Sequence, residues 1–218
     1  EDCNVYLGLK EGIDGEAMLA DLRLAQTGSI SFPAEKYVNT WKVKKHDHFL
    51  IPGGTVHCSG KDTMVLEISA TPYIFTFKLW DWGRVGLDGI PRPVHIGHGE
   101  KVIQWDRTTN WVKENLVNRF YTISDDGKNK TEHTGLHERE FIETRRYTLT
   151  EAIEVESEGS VSQCNVVEGR GAIIESVDGS FAPYEVHYAE TFIVPESVKK
   201  FRMRPLDDKV TILRATVR

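Results

Sequence analysis

His48-Phe49-Leu50-Ile51-Pro52-Gly53-Gly54-Thr55-Val56-His57 recurs in weakened form as Thr191-Phe192-Ile193-Val194-Pro195-Glu196-Ser197-Val198-Lys199-Lys200. Phe, an aliphatic pair and Pro fall in register. An aliphatic strand, a Pro-led turn and a return strand make a unit that a β-barrel can use twice. Chance recurrence of Phe-aliphatic-Pro is the plainer alternative. The copies differ at the last position, His57 in the first and Lys200 in the second. Neutral imidazole is the commonest metal ligand, whereas an ammonium coordinates nothing until it loses a proton. A shared architecture would leave metal chemistry at this position to the first copy.

Outward from the first copy, Tyr37 to Trp80 reads as all β. Phe49-Leu50-Ile51, Met64-Val65-Leu66 and Tyr73-Ile74-Phe75 are short apolar runs between Gly- and Pro-containing turns. Before it, residues 4 to 9 read as a strand. Asp14 reads as the N-cap of a helix to about Gln26, with Met18, Leu19, Leu22 and Leu24 as its apolar stripe. From His98 to Val117 the period suits one or two short helices, and Ser124 to Lys130 is polar enough for a loop. Strands are expected again at Phe141–Leu149, Val161–Val167, Ala172–Val177, Thr191–Val194, Lys200–Met203 and Val210–Val217. The expected fold is therefore mostly β, with tandem barrels. Residues 1–98 would be the C-terminal part of a first barrel, 99–138 a partly helical connector, and 139–218 a second barrel without metal.

The 218 residues carry a formal net charge of -6, with 39% hydrophobic and 28% charged residues. That composition suits an ordered globular protein, and the acidic balance argues against nucleic acid as a partner. No apolar run approaches the length needed to span a bilayer, so no membrane partner is expected. Three widely spaced cysteines, Cys3, Cys58 and Cys164, do not make a disulfide framework, which points to a reducing cytoplasm. The chain opens on Glu1-Asp2-Cys3 and enters a strand almost at once, which reads as an excised fragment or a processed chain.

His46 through Pro52, Gly54 and His57 resembles the second cupin motif, and the expected barrels are accordingly cupin-like jelly rolls. A longer series is more specific. Ile51-Pro52-Gly53-Gly54-Thr55-Val56-His57, Val65-Leu66-Glu67, Trp80-Asp81-Trp82-Gly83-Arg84 and Asp88-Gly89-Ile90-Pro91-Arg92-Pro93-Val94-His95 follow in order. Together they resemble the type I mannose-6-phosphate isomerases, strongly over about 44–98 and weakly elsewhere. The resemblance implies aldose–ketose isomerisation of mannose 6-phosphate and fructose 6-phosphate, or of a related sugar phosphate, with zinc as the cofactor. His57 matches a zinc-ligand His of that family, and the other ligands would fall before residue 1. The chain alone is then expected to be inactive. The family's catalytic Arg corresponds to Lys78, and an acidic position four residues earlier corresponds to Ile74.

Read from the residues, Lys78 and Arg84 stand six apart, so a continuous strand would put both on one face, where a cationic pair suits a phosphate or is ordinary solvated charge. Glu67 is a candidate catalytic carboxylate, orienting His57 or walling the substrate site, or else a strand-end surface charge. Trp80 and Trp82 share the Lys78–Arg84 face and would stack on a sugar ring or pack in the core. His46 and His48 would alternate on one strand as ligands or surface groups, and a structural role is expected of His95 and His98. A non-catalytic cupin-like protein, sugar-binding or structural, is the rival reading. The isomerase reading requires the His57 ring to face a cavity. Oligomeric state is not legible.

Overall fold

In a computed structural model, residues 3–69, 76–134 and 141–218 are described. The chain divides into two compact units, residues 1–117 and 118–218.

The first unit is built around β1 (Asn4–Leu9), which lies between β2 (Val38–Lys42) and β3 (His57–Ser59) in a three-stranded antiparallel sheet. Between β1 and β2 run α1 (Gly15–Gln26) and the single turn α2 (Ala34–Tyr37). Asp14 caps α1 as the sequence predicts, its carboxylate accepting from the backbone N–H of Glu16 and Ala17 at 3.0 and 3.2 Å. The buried stripe is Met18, Leu19, Leu22 and Ala25. Leu24 points outward instead, since position 25 completes the i, i+3, i+4 spacing from Leu22 that Leu24 does not. This stripe joins Leu9, Phe32, Tyr37, Ile96 and Ile103 in one apolar cluster, with Trp80 packed partly buried against it. Two short helices, α3 (Ile96–Gly99) and α4 (Thr109–Asn115), complete the unit, and Val112 of α4 seals a second small cluster over Val5 and Leu7.

The second unit is a pair of antiparallel sheets. Strands β4 (Tyr121–Asp125), β5 (Asn129–His133), β6 (Ile142–Leu149), β8 (Ser162–Glu168), β11 (Thr191–Val194) and β13 (Val210–Val217) form one, in the order β11-β8-β13-β6-β5-β4. Strands β7 (Ile153–Glu156), β9 (Gly171–Ser176), β10 (Tyr184–His187) and β12 (Lys200–Pro205) form the other, in the order β10-β9-β12-β7. Alternate residues of both sheets, among them Leu149, Val166, Ile174, Phe201, Met203 and Ile212, meet in one dry core.

The expectation of tandem cupin-like jelly-roll barrels is corrected here. Each sheet runs linearly from one end strand to another, and among the described residues no ladder joins the ends, so none closes on itself. The stretch Tyr37–Trp80 is also far less regular than its apolar runs suggest. Among the described residues only β2 and β3 form there, and Met64, Val65 and Leu66 are exposed outside any ladder. Tyr73-Ile74-Phe75 lies outside the described residues. Conversely, Ser124–Lys130 belongs to the β4–β5 hairpin, because the polar turn residues Asp126 to Lys128 only cap two strands that continue beyond them. Among the described residues, no helix is long and apolar enough to cross a membrane.

The internal echo has a structural counterpart. The N–H of Thr55 donates to Pro52 O at 3.1 Å, and the N–H of Val198 donates to Pro195 O at 3.0 Å, the same turn at the same register. His57 then opens β3 and Lys200 opens β12.

Candidate functional site

The Pro52–Thr55 turn needs a backbone that only glycine supplies cheaply. Gly54 has φ +84°, and a Cβ there would stand 2.4 Å from Val102 O. The Thr55 hydroxyl donates to Pro52 O at 2.7 Å, and Gly54 O accepts from the N–H of Gln104 at 3.0 Å. Arg107 clamps the turn from outside. Its Nη1 donates to Pro52 O at 2.9 Å and Gly53 O at 2.8 Å, and also bonds the Thr55 hydroxyl. Burial pushes the Arg107 pKa down, partly offset by Asp106.

His57 leaves this turn paired with Leu7 of β1. Its Nδ1 lies 2.8 Å from Thr55 O, a carbonyl that can only accept, so Nδ1 is the donor. The ring is exposed on an edge strand, and it lines neither of the two recesses described below. Among the described residues, no group of three or more His, Cys, Asp or Glu is placed to hold a metal ion. One imidazole is not a metal centre, so the described residues do not fit zinc by themselves.

A second constellation lies at Lys78–Arg92. The N–H of Arg84 donates to Asp81 O at 2.9 Å, closing a tight turn in which Trp82 (φ 55°) and Gly83 (φ 66°) are both left-handed. The chain then doubles back. Gly86 donates to Ile90 O at 2.8 Å, Val85 bridges Pro91, and Arg92 donates to Arg84 O at 3.0 Å. These bonds set Arg92 beside Arg84. Lys78 is held in turn, its N–H donating to His95 Nδ1 at 3.2 Å and its carbonyl accepting from the His95 N–H at 2.7 Å.

All three cations converge on Asp81, whose side chain is only 9% exposed. Lys78 Nζ and Arg84 Nη1 lie 3.4 and 3.9 Å from Oδ1, and Arg92 Nη1 lies 3.6 Å from Oδ2. Oδ2 is buried and accepts no hydrogen bond. A recess of about 10 Å³, the size of one water, lies beside Asp81, with Arg84, Arg92 and Trp80 in its wall. A larger open groove of about 460 Å³ runs past Asp14, Glu16 and Glu100, and its carboxylates oppose an anionic ligand.

The sequence candidates thus fall apart and regroup. Lys78 and Arg84 both reach Asp81, but through a turn rather than along a continuous strand. Glu67 is exposed, and among the described residues no hydrogen bond or ion pair joins it to His57, Lys78 or Arg84. His46 and His48 share no strand face, because His46 sits in a turn with φ +71°. His98 stacks on Phe77 with ring centroids 5.7 Å apart. Trp80 packs edge-on to Phe32, whereas Trp82 is 46% exposed and lies edge-on to Tyr6 of β1 at 5.6 Å. Strand β1 therefore touches both places, pairing with His57 through Leu7 and meeting the Asp81 turn through Tyr6. Ile74 lies outside the described residues. Asp81, Arg92 and Arg107 are the residues the sequence did not single out. Arg92 returns to Arg84 by way of the turn in which the N–H of Gly89 donates to Gly86 O at 3.1 Å.

The chain is similar to sugar-phosphate isomerases. It is 23% identical over 162 residues to mannose-6-phosphate isomerase ManA of Bacillus subtilis, a match covering 74% of this chain and 47% of that protein. It is 22% identical over 160 residues to mannose-6-phosphate isomerase of Streptococcus mutans, covering 73% and 46%. The crystal structure of the mannose 6-phosphate isomerase from Bacillus subtilis superposes with a TM-score of 0.68 at 16% identity, over 99% of this chain and 60% of that one. At that identity the likeness is one of fold. No family model matches. The chain spans about half the length of the curated relatives it matches.

Proposed function

We propose that the protein is a cytoplasmic sugar-phosphate isomerase of the aldose–ketose class, acting on mannose 6-phosphate and fructose 6-phosphate or a closely related pair. The observation that carries the reading is the convergence of Lys78 and Arg84 at one place, with cationic heads that are half exposed. Aldose–ketose isomerisation moves a proton between carbons beside a carbonyl and passes through an enediolate. Cations fixed before the reaction hold the phosphate and lower the energy of developing negative charge. Lys78 and Arg84 take that part, Glu67 is an exposed carboxylate open to a substrate, and Trp82 offers a ring face at the turn. His57 is exposed rather than set in a cavity as the zinc part of the resemblance requires, so the reading rests on the cations and on the similarity alone, and no step is routed through a metal. The similarity to named mannose-6-phosphate isomerases supports the substrate class.

The test is a coupled assay of fructose 6-phosphate formation from mannose 6-phosphate with added zinc. Where the further zinc ligands that the resemblance implies are present, turnover is expected, with KM raised about tenfold or more by Lys78→Ala or Arg84→Ala, the loss of one charge-assisted hydrogen bond. Binding of both sugars without turnover would reduce the protein to a sugar-phosphate binder, and neither binding nor turnover would end the reading.

A further inference from the structure

We propose that Asp81 is the positioning residue of an oxyanion seat whose third arm is Arg92. The proposal rests on the reading of Lys78 and Arg84 as phosphate-facing, and it adds how the seat is assembled and what charge it takes.

Charge balance is the first argument. One cation neutralises one buried carboxylate, yet three stand within 4 Å of Asp81, leaving a surplus of two positive charges. Like charges repel and long side chains lose rotamer freedom when gathered, so solvated Lys and Arg heads normally spread apart. A surplus of two matches a phosphomonoester, which carries close to two negative charges near neutral pH.

Hydrogen bonding is the second argument. The three contacts to Asp81 are ion pairs without hydrogen-bond geometry. Among the described residues, no side-chain hydrogen bond from Lys78, Arg84 or Arg92 is made to any group. Their donors are unspent, and two guanidinium forks suit the oxygens of a phosphate. Asp81 itself is too buried to meet the ligand. It acts through the cations, holding them together until an oxyanion takes their outward face. The water-sized recess beside it excludes a sugar, so the phosphate ligand approaches from the exposed side.

Calorimetric titration with inorganic phosphate at constant ionic strength tests the seat. Arg92→Ala is expected to weaken binding about tenfold, and Arg92→Lys to restore part of it. Asp81→Asn separates positioning from simple Coulomb attraction. Removing a negative charge should tighten an anion if only net charge mattered, whereas loss of positioning weakens it about fivefold. In an Arg92→Ala background the Asp81→Asn effect should shrink below about twofold, because the two residues act as one unit.

Equal or tighter phosphate binding by a folded Asp81→Asn variant overturns the proposal, as does additivity of the two substitutions. Should Asp81→Asn fail to fold, unchanged affinity in Arg92→Ala, an exposed position, overturns it alone. The two readings fail separately. The binding pattern without any isomerase turnover removes the activity and keeps the seat. Turnover with KM unmoved in Arg92→Ala removes the seat and keeps the activity.

Discussion

Arg107 donates from Nη1 to the carbonyl oxygen of Pro52 at 2.9 Å, across 55 residues of sequence. The same nitrogen bonds Gly53 O and the Thr55 hydroxyl, so one guanidinium holds the whole turn that leads into His57. Trp111 supports it from behind, its ring centroid 5.4 Å from the guanidinium carbon. Replacement by Met keeps the bulk and removes the donors. Arg107→Met is expected to lose about 1–2 kcal/mol, the worth of charge-assisted bonds at a half-exposed site, read as a lower urea midpoint. An unchanged midpoint would show that the turn stands without its clamp.

The two glycines of the turn should respond differently. A Cβ at Gly54 needs a left-handed backbone and meets Val102 O, a backbone atom that cannot swing aside. Gly54→Ala should cost more than about 2 kcal/mol. At Gly53 a Cβ meets nothing within 4 Å, so Gly53→Ala should stay within about 0.5 kcal/mol. Equal costs in urea unfolding would contradict this account of the turn.

Glu132 and Arg146 form a buried ion pair at 2.8 Å between β5 and β6, with Lys130 also 2.8 Å from the carboxylate. Burial alone would raise the Glu132 pKa. The bonds from Arg146 and Lys130 outweigh it and hold the carboxyl below its ordinary 4.5. A lowered folded pKa contributes stability that is present above the unfolded value and lost as pH falls through the folded one. Glu132→Gln should therefore cost on the order of 3 kcal/mol at pH 7. The gap to the wild type should narrow as pH falls below the ordinary carboxyl value of 4.5. A gap constant from pH 7 to pH 3 would contradict the pairing.

Cys164 lies wholly buried in the core of the second unit, and burial pushes its thiol up to about 12 against the opposing pull of Arg214. Cys3 and Cys58 are half-buried. Iodoacetamide at pH 8 should modify those two while Cys164 reacts only on unfolding. Peptide mapping after native labelling checks this, and rapid modification of Cys164 would contradict the packing of β8 against β11.

How much of this was legible depended on whether the deciding contacts were local. Asp14 capping α1 is a local bond, and the Pro52 and Pro195 turns are local too, so the pattern of residues carried them. Strand β11, which alternates exposed and buried positions cleanly, and β9 and β13, which carry aliphatic runs bounded by turns, were read directly. Strands β7 and β10 were not, since Ile153–Glu156 and Tyr184–His187 each hold only two apolar residues among charged or polar ones and form because longer neighbours pair with them. Barrel closure was misread because closure is a property of edge strands, and no single strand encodes whether its far neighbour pairs. The cationic site was legible only in part. Lys78 and Arg84 stood out by their spacing, but the turn at Trp82-Gly83 replaces the strand that spacing presumed. Arg92 and Asp81 join them only through the backbone bonds from Gly86 to Arg92.

The central claim is that the cations around Asp81 recognise a phosphate ester of a sugar. Paired calorimetric titrations with fructose 6-phosphate and with fructose test it most directly. The account predicts that the phosphate ester binds, that Lys78→Ala and Arg84→Ala each weaken it about tenfold, and that free fructose shows no measurable heat. Equal affinity for the two sugars, or fructose 6-phosphate binding untouched by both substitutions, would contradict it.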